Sequence, residues 1–163
     1  MAFARRLLFL LCVISGLLSR AFSNPPTLKK DNNCPKGWTR LNCNCYIYQD
    51  EKRTFADAES VCNIIGGNLV SIHNAVENFF VRELIREGTV EPDTSWIGLH
   101  DALAQTDDFI WTDGTIEDFL AFNGGEPDSD GDCVEIVDSD GCWADTACTD
   151  MLTYVCIREV EFW

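Results

Sequence analysis

The sequence predicts an α+β domain, two helices set among short antiparallel strands with a long loop region, the whole stapled by disulfides. Three observations carry this: two capped segments with apolar residues at helical spacing, five short apolar runs separated by turn residues, and eight cysteines beyond an N-terminal leader.

The leader comes first. Arg5 and Arg6 precede an apolar run from Leu7 to Leu18, and Ala21-Phe22-Ser23 supplies the small residues a signal peptidase reads. Spanning a bilayer takes roughly 20 apolar residues, so the run reads as a signal peptide over 1–23 and the protein as secreted and extracellular. The 140 residues from Asn24 onward suffice for one domain with a single core. A flexible leader over 24–33, with its Pro25-Pro26 pair, precedes the domain at 34–158, and 159–163 is a tail.

Cys34-Pro-Lys-Gly-Trp38 opens the domain, and Tyr46-Ile47-Tyr48 reads as a strand; a bridge from Cys34 to Cys45 over so short a span would make a hairpin. Thr54 is placed to cap a helix, with Asp57 at its third position beside the positive end of the dipole. Phe55, Ala58, Cys62 and Ile65 then recur at helical spacing until Gly66-Gly67 stops the run. That puts Cys62 on the buried face, where a disulfide to a core strand is sterically natural. Leu69 to Ile72 reads as a short strand. Asn74 and Glu77 repeat the capping logic, with Val76, Phe80 and Leu84 as the core stripe and an end near Arg86-Glu87-Gly88. Trp96 to Leu99 is a buried strand, Phe109 to Trp111 a strand running into a turn at Gly114, and Tyr154 to Ile157 the last core strand.

Charge narrows the function. Losing the leader removes three arginines and leaves nine basic residues against 27 acidic ones, a net charge of −18. From Asn24 to Arg86 eight basic face seven acidic residues, whereas from Glu87 to Cys156 there are eighteen acids and no Lys or Arg. Nucleic acid and anionic membrane are poor partners for such a surface, since phosphate binding needs clustered cations, and neither nucleic-acid binding nor membrane insertion is expected. Metal cations, basic peptides and neutral sugars remain.

The acids concentrate between Glu126 and Asp145, with eight carboxylates in twenty residues. Such a density costs free energy unless a cation or hydrogen-bond donors offset it. A charge run is usually a solvated loop. Here Pro127, Cys133, Val134, Ile136, Val137, Cys142 and Trp143 interrupt the acids and pin the segment, and oxygen ligands at alternate positions make it a candidate calcium site.

Eight cysteines in a secreted chain imply disulfides but allow 105 pairings. Zinc is the poorer account of them, because paired CxxC units are missing and the only histidines, His73 and His100, are not near the cysteines.

A series of landmarks in fixed order resembles the C-type lectin domain family: Cys34-Pro-x-Gly-Trp38, Cys45-Tyr46, Cys62, Trp96-Ile-Gly-Leu99, Trp111-Thr-Asp-Gly114, Glu126-Pro-Asp128, Cys133-Val134, Trp143-x-Asp145 with Cys148, and Cys156. The resemblance spans about Cys34 to Ile157. It implies disulfides Cys34 to Cys45, Cys62 to Cys156 and Cys133 to Cys148. Cys43 and Cys142 are left over, expected far apart, and point to a disulfide-linked homodimer, with an internal bridge or a capped thiol as alternatives.

The resemblance further implies a secreted, calcium-dependent carbohydrate-binding protein that recognises glycans on microbial or cell surfaces, as in innate immunity. Glu126, Asp128 and Asp145 match the family's calcium ligands, with Asp130 or Asp132 as the acid ahead of Cys133, and Pro127 is expected cis. Two departures make the sugar site degenerate. Ala144 stands where the family carries an asparagine, and Glu-Pro-Asp is intermediate between the mannose-type and galactose-type motifs. Ionised Glu126, Asp128 and Asp145 only accept hydrogen bonds, so each missing amide donor should cost about 1 kcal/mol or more per sugar contact. At a second calcium position Asp101 has Gln105 as its companion, which argues against that site; Asp107 and Asp108 read as solvated.

Two other functions compete. Paired carboxylates serve glycoside hydrolysis, yet no residue is evidently placed to have a raised pKa, no GxSxG or HExxH occurs, and His73 and His100 read as structural. An enzyme is therefore not expected. A lectin-fold protein that binds protein or ice instead of sugar is favoured by Ala144 and the spare cysteines, and opposed by the intact Glu-Pro-Asp and Asp145. No N-glycosylation sequon is present.

Overall fold

The computed structural model describes residues 34–89, 94–103, 108–137 and 139–160. The expected signal peptide and leader, and residues 161–163 of the tail, lie outside the described residues. Two helices and eight strands follow in the order β1 (Thr39–Leu41), β2 (Asn44–Arg53), α1 (Phe55–Ile64), β3 (Asn68–Leu69), α2 (Ala75–Gly88), β4 (Thr94–Asp101), β5 (Phe109–Trp111), β6 (Cys133–Val137), β7 (Trp143–Thr146) and β8 (Leu152–Glu159).

The strands form one sheet in the order β1-β2-β8-β4-β6-β7, with β3 added to β8 and β5 to β4. Its pairs are antiparallel except β4 with β8, which run parallel. The short strands are antiparallel as expected, with this one pair parallel. Between β4 and β8 the chain makes its long excursion through β5, β6 and β7, the kind of crossover a parallel pair requires.

Both helix starts form as read. The Thr54 hydroxyl accepts from the Asp57 amide at 3.3 Å. Asn74 Oδ1 accepts from the amides of Val76 and Glu77, each at 3.0 Å. The stripe on α2 is corrected by one residue: Val81 and Ile85 are fully buried, Phe80 and Leu84 pack beside them, and Val76 is 65% exposed. The buried row begins at Glu77, whose carboxylate accepts from the His73 amide at 2.8 Å. An acid used to cap the helix hides the apolar row that continues from it.

The run from Leu69 to Ile72 is also shorter as a strand than expected. Val70 donates to Val155 and accepts from Gly98, wedging between β8 and β4, while Ser71 and Ile72 are buried without a ladder. Three strands escaped the sequence reading. β1 is three residues long, and β6 and β7 lie inside the acidic segment, which is therefore a hairpin rather than a loop throughout. Val134 and Ile136 alternate with Glu135, so one face of β6 enters the core and the other carries charge.

Three disulfides join Cys34 to Cys45, Cys62 to Cys156 and Cys133 to Cys148, the pairs the resemblance implies. Trp143 is the hub toward the acidic end. Trp111, Phe119 and Phe122 meet its ring edge-on at 5.8, 5.8 and 5.9 Å, and its indole N–H donates to Asn78 Oδ1 at 2.9 Å. β7 and the 119–122 loop are thereby fixed to α2.

Candidate metal and ligand site

The site is built on the β6–β7 hairpin, where Val134 faces Asp145 and Glu135 faces Ala144. Val134 and Trp143 pack into the core and hold Asp145 at the top of β7, only 4% exposed. A buried carboxylate needs donors. Its two oxygens accept from the backbone amides of Asp128 at 2.9 Å and Ser129 at 3.0 Å, which draws the preceding loop onto β7. Further along the loop Gly131 crosses the strand so closely that a Cβ would lie 1.9 Å from the Thr146 backbone. Only glycine permits that approach.

On the near side of the loop the Glu126 amide donates to the Asn123 carbonyl at 3.0 Å, the Asn123 amide donates to the Trp143 carbonyl at 2.9 Å, and the Glu126–Pro127 peptide is cis, as the resemblance implies. Three carboxylates converge as a result. Ligand oxygens from Glu126, Asp128 and Asp145 all lie within 4.8 Å of one another.

Crowding shows in their titration. Burial first, then contact with the Asp145 carboxyl and the charges of Asp128, Asp145 and Asp130, push the Glu126 carboxyl above its ordinary range. Burial, followed by the charges of Asp128 and Asp145, pushes Asp130 up as well. The expectation that no residue is placed to have a raised pKa is corrected; burial first and the neighbouring acids second supply the rise, and sequence spacing reveals neither which carboxyls the fold buries nor which it makes neighbours. Glu126 Oε2 is buried with no hydrogen-bond partner. An orphaned oxygen beside two further carboxylates, with no sulfur or nitrogen donor in the cluster, is the donor set a hard cation takes. The residues therefore fit calcium.

Asp132 does not join the three. Its backbone carbonyl accepts from the Asp101 amide at 2.8 Å, tying the loop to β4. Asp130 stands next to the cluster, its amide on Asp128 Oδ1 at 3.1 Å. Asp101 is buried and accepts from the Leu103 amide at 3.0 Å; Gln105 and Asp107 lie outside the described residues, and Asp108 is exposed. His73 Nδ1 meets Asp118 Oδ1 at 2.7 Å and His100 leans on Phe55 with ring centroids 5.6 Å apart, so both hold loops and strands together.

Cys43 is exposed in the β1–β2 turn and Cys142 half-buried in the β6–β7 turn. β2 and β7 are four strand spacings apart in the sheet, about 19 Å at ~4.8 Å each, far beyond the ~7 Å a disulfide spans. An internal bridge is excluded. Burial and Asp140 push the Cys142 thiol above its usual value, and Cys43 is the more accessible of the two.

Sequence reasoning missed Asn78 and Asn123. Asn78 sits on α2 and holds both Trp143 and the Gly141 carbonyl, the latter at 2.8 Å; no local pattern shows a partner more than sixty residues away.

The family model described as Lectin C-type domain matches residues 51–158. The chain belongs to the C-type lectin domain family. It is 33% identical over 129 residues to human lithostathine-1-alpha, covering 76% of this chain and 77% of that protein. It is 30% identical over 137 residues to the galactose-specific lectin nattectin of Thalassophryne nattereri, covering 82% and 86%. Among solved structures, a calcium-independent type II antifreeze protein superposes with a TM-score of 0.70 at 26% identity, covering 78% of this chain and 95% of that one. Within the C-type lectin fold, then, Ala144 projects from β7 between the two site residues Trp143 and Asp145, half-buried and opposite Glu135.

Proposed function

We propose that this C-type lectin is a secreted protein, released after its leader at 1–23, that binds carbohydrate on microbial or cell surfaces with calcium, through a sugar site weakened by Ala144. The convergence of Glu126, Asp128 and Asp145 oxygens within 4.8 Å carries the reading. Three acids held this close oppose one another, and a divalent cation removes the opposition.

Glu126, Asp128 and Asp145 would hold the ion. When bound, calcium supplies a positive centre that attracts paired hydroxyls of a saccharide. The chain's own part is to fix the acids: Asp145 through the Asp128 and Ser129 amides, Glu126 through Asn123, and the hairpin through Trp143 and the Cys133–Cys148 bridge. None of these acids can donate to a sugar hydroxyl while ionised, which makes monosaccharide affinity low. Binding rather than turnover is the reading, because the carboxylates crowd onto one point instead of flanking a cleft. Cys43, exposed at the sheet edge, is the thiol through which a disulfide-linked homodimer forms.

Calcium titration by calorimetry, followed by a glycan array with and without chelator, tests the proposal. Heat with calcium and chelator-sensitive glycan spots are expected; no heat and no thermal shift at millimolar calcium would overturn it. A second reading, a lectin-fold protein that binds protein or ice, draws support from Ala144 and from the likeness to the antifreeze structure. Glycan spots absent under both conditions, with the fold intact, would favour it.

A further inference from the structure

We propose that Asn123 is a spontaneous modification site: it cyclises with Gly124 and reopens to aspartate or isoaspartate, remodelling the turn that carries Glu126. Asn123-Gly124 is the only Asn-Gly pair in the sequence. Both residues are exposed, and the Gly124 N–H donates to Asn123 Oδ1 at 2.8 Å, which keeps the nitrogen beside the side-chain amide it would attack once deprotonated. A Cβ built on Gly124 meets nothing within 4 Å, so the turn is open at that residue.

The chemistry balances without an oxidant or cofactor. The Gly124 nitrogen gives its proton to water and bonds to Asn123 Cγ; the NH2 group takes a proton back from water, the Cγ–N bond breaks and ammonia leaves, closing a succinimide. Water then adds to one of the two imide carbonyls. Opening on one side gives aspartate. Opening on the other gives isoaspartate, in which the main chain runs through Cβ and Cγ.

In the three Asp-Gly pairs among the described residues the aspartate side chain or the glycine is held by other groups, whereas the Asn123 side chain meets the Gly124 amide itself. Asp113 Oδ1 accepts from the amide and hydroxyl of Thr115. Gly131 is packed on the Thr146 backbone. Asp140 Oδ1 accepts from the Cys142 amide. Asn123 instead holds the site with its backbone, through the Trp143 carbonyl and the Glu126 amide. Isoaspartate turns the carbonyl that accepts from Glu126 into a free carboxylate and lengthens the main chain by one carbon, so the turn no longer holds Glu126 in place; the aspartate product keeps that carbonyl. Calcium affinity falls with the age of the protein, a consequence that rests on the reading of the site as a calcium site.

The test incubates the purified protein at mildly alkaline pH and body temperature, maps the change by peptide mass spectrometry, and labels isoaspartate with the isoaspartyl carboxyl methyltransferase. Label accumulating at Asn123 in the wild type and lost in Gly124→Ala is expected. That variant needs no backbone change, since Gly124 has room for a Cβ and no left-handed φ. Unlabelled wild type, or equal label in Gly124→Ala, overturns the modification site. Fresh and aged protein with equal calcium heats overturn the effect on Glu126. Fresh protein without any calcium heat defeats the calcium reading alone, and the label at Asn123 stands apart from it.

Discussion

The two ends of the sheet are held by different physics. At the β1-β2-β8 end, Tyr46, Val155 and Cys156 are buried against α1 and α2, and the Cys62–Cys156 bridge ties helix to strand, so apolar burial and the bridge act in the same direction. At the β6–β7 end the underside is equally apolar, with Val134, Ile136 and Trp143 fully buried, but the top gathers Glu126, Asp128 and Asp145 against their own repulsion. The apolar underside decides where the acids stand. The acids themselves oppose the arrangement and wait for a cation. Substitutions at the first end should therefore cost stability, whereas removing the Glu126 charge at the second should cost calcium binding and leave the fold standing or strengthen it.

The contrast is sharpest for the disulfides. Cys62→Ala with Cys156→Ala releases a loop of 94 residues, worth about 4 to 5 kcal/mol in the chain-entropy account, against about 3 kcal/mol for a 15-residue loop such as Cys133–Cys148. Thermal unfolding followed by circular dichroism should show the first pair of changes melting the domain far earlier than Cys133→Ala with Cys148→Ala. Equal losses would mean that the two ends share one source of stability.

Alkali probes the same end. Burial, and secondarily the charge of Glu77, raise the Tyr46 phenol to about 12, while an unfolded tyrosine ionises near ~10. Below ~10 both states keep the proton and nothing changes. Between ~10 and ~12 the unfolded chain loses it first, so stability falls as pH rises, by about 2 kcal/mol across the window. Ultraviolet titration should find Tyr46 ionising late, together with Tyr154, whose phenol burial also raises, and Tyr46→Phe should lessen the alkaline fall.

Much of the scaffold was legible because its signals are local. Caps at Thr54 and Asn74 need only a side chain and an amide three residues on, and the strands around Tyr46, Trp96, Phe109 and Tyr154 are apolar runs. Val76 was misassigned because Glu77, spent on the His73 amide, masks the buried row. The hairpin of β6 and β7 was illegible for a related reason: its charged face dominates a segment whose other face is core. The three acids were legible through the resemblance, but the orphaned Glu126 oxygen and the grip of the Asp128 and Ser129 amides on Asp145 depend on residues up to seventeen positions apart meeting in space.

At the acidic end, Ala144→Asn with Asp128→Asn should gain function. Each amide adds a donor for a sugar hydroxyl, at about 1 kcal/mol or more per contact, so the double variant should be retained on mannose-agarose in calcium and released by chelator. A folded double variant that flows through would show that loop shape, rather than the missing amides, limits the site.

Glu126→Gln separates the two ends by sign rather than by size. In chelator the variant should melt slightly above the wild type, because the raised titration of Glu126 means that its ionised form is disfavoured in the fold. Glutamine removes that charge and offers two N–H donors to Asp128 and Asp145. In calcium the order should invert: the wild type gains stability by ligand linkage, which grows with the ratio of free calcium to its dissociation constant, and the variant, one carboxylate short, gains little. Scanning calorimetry of both proteins with and without calcium reads all four values. A variant that melts below the wild type in chelator would show that Glu126 supports the hairpin directly, and the division between a self-sufficient scaffold and a cation-dependent acidic end would have to be redrawn.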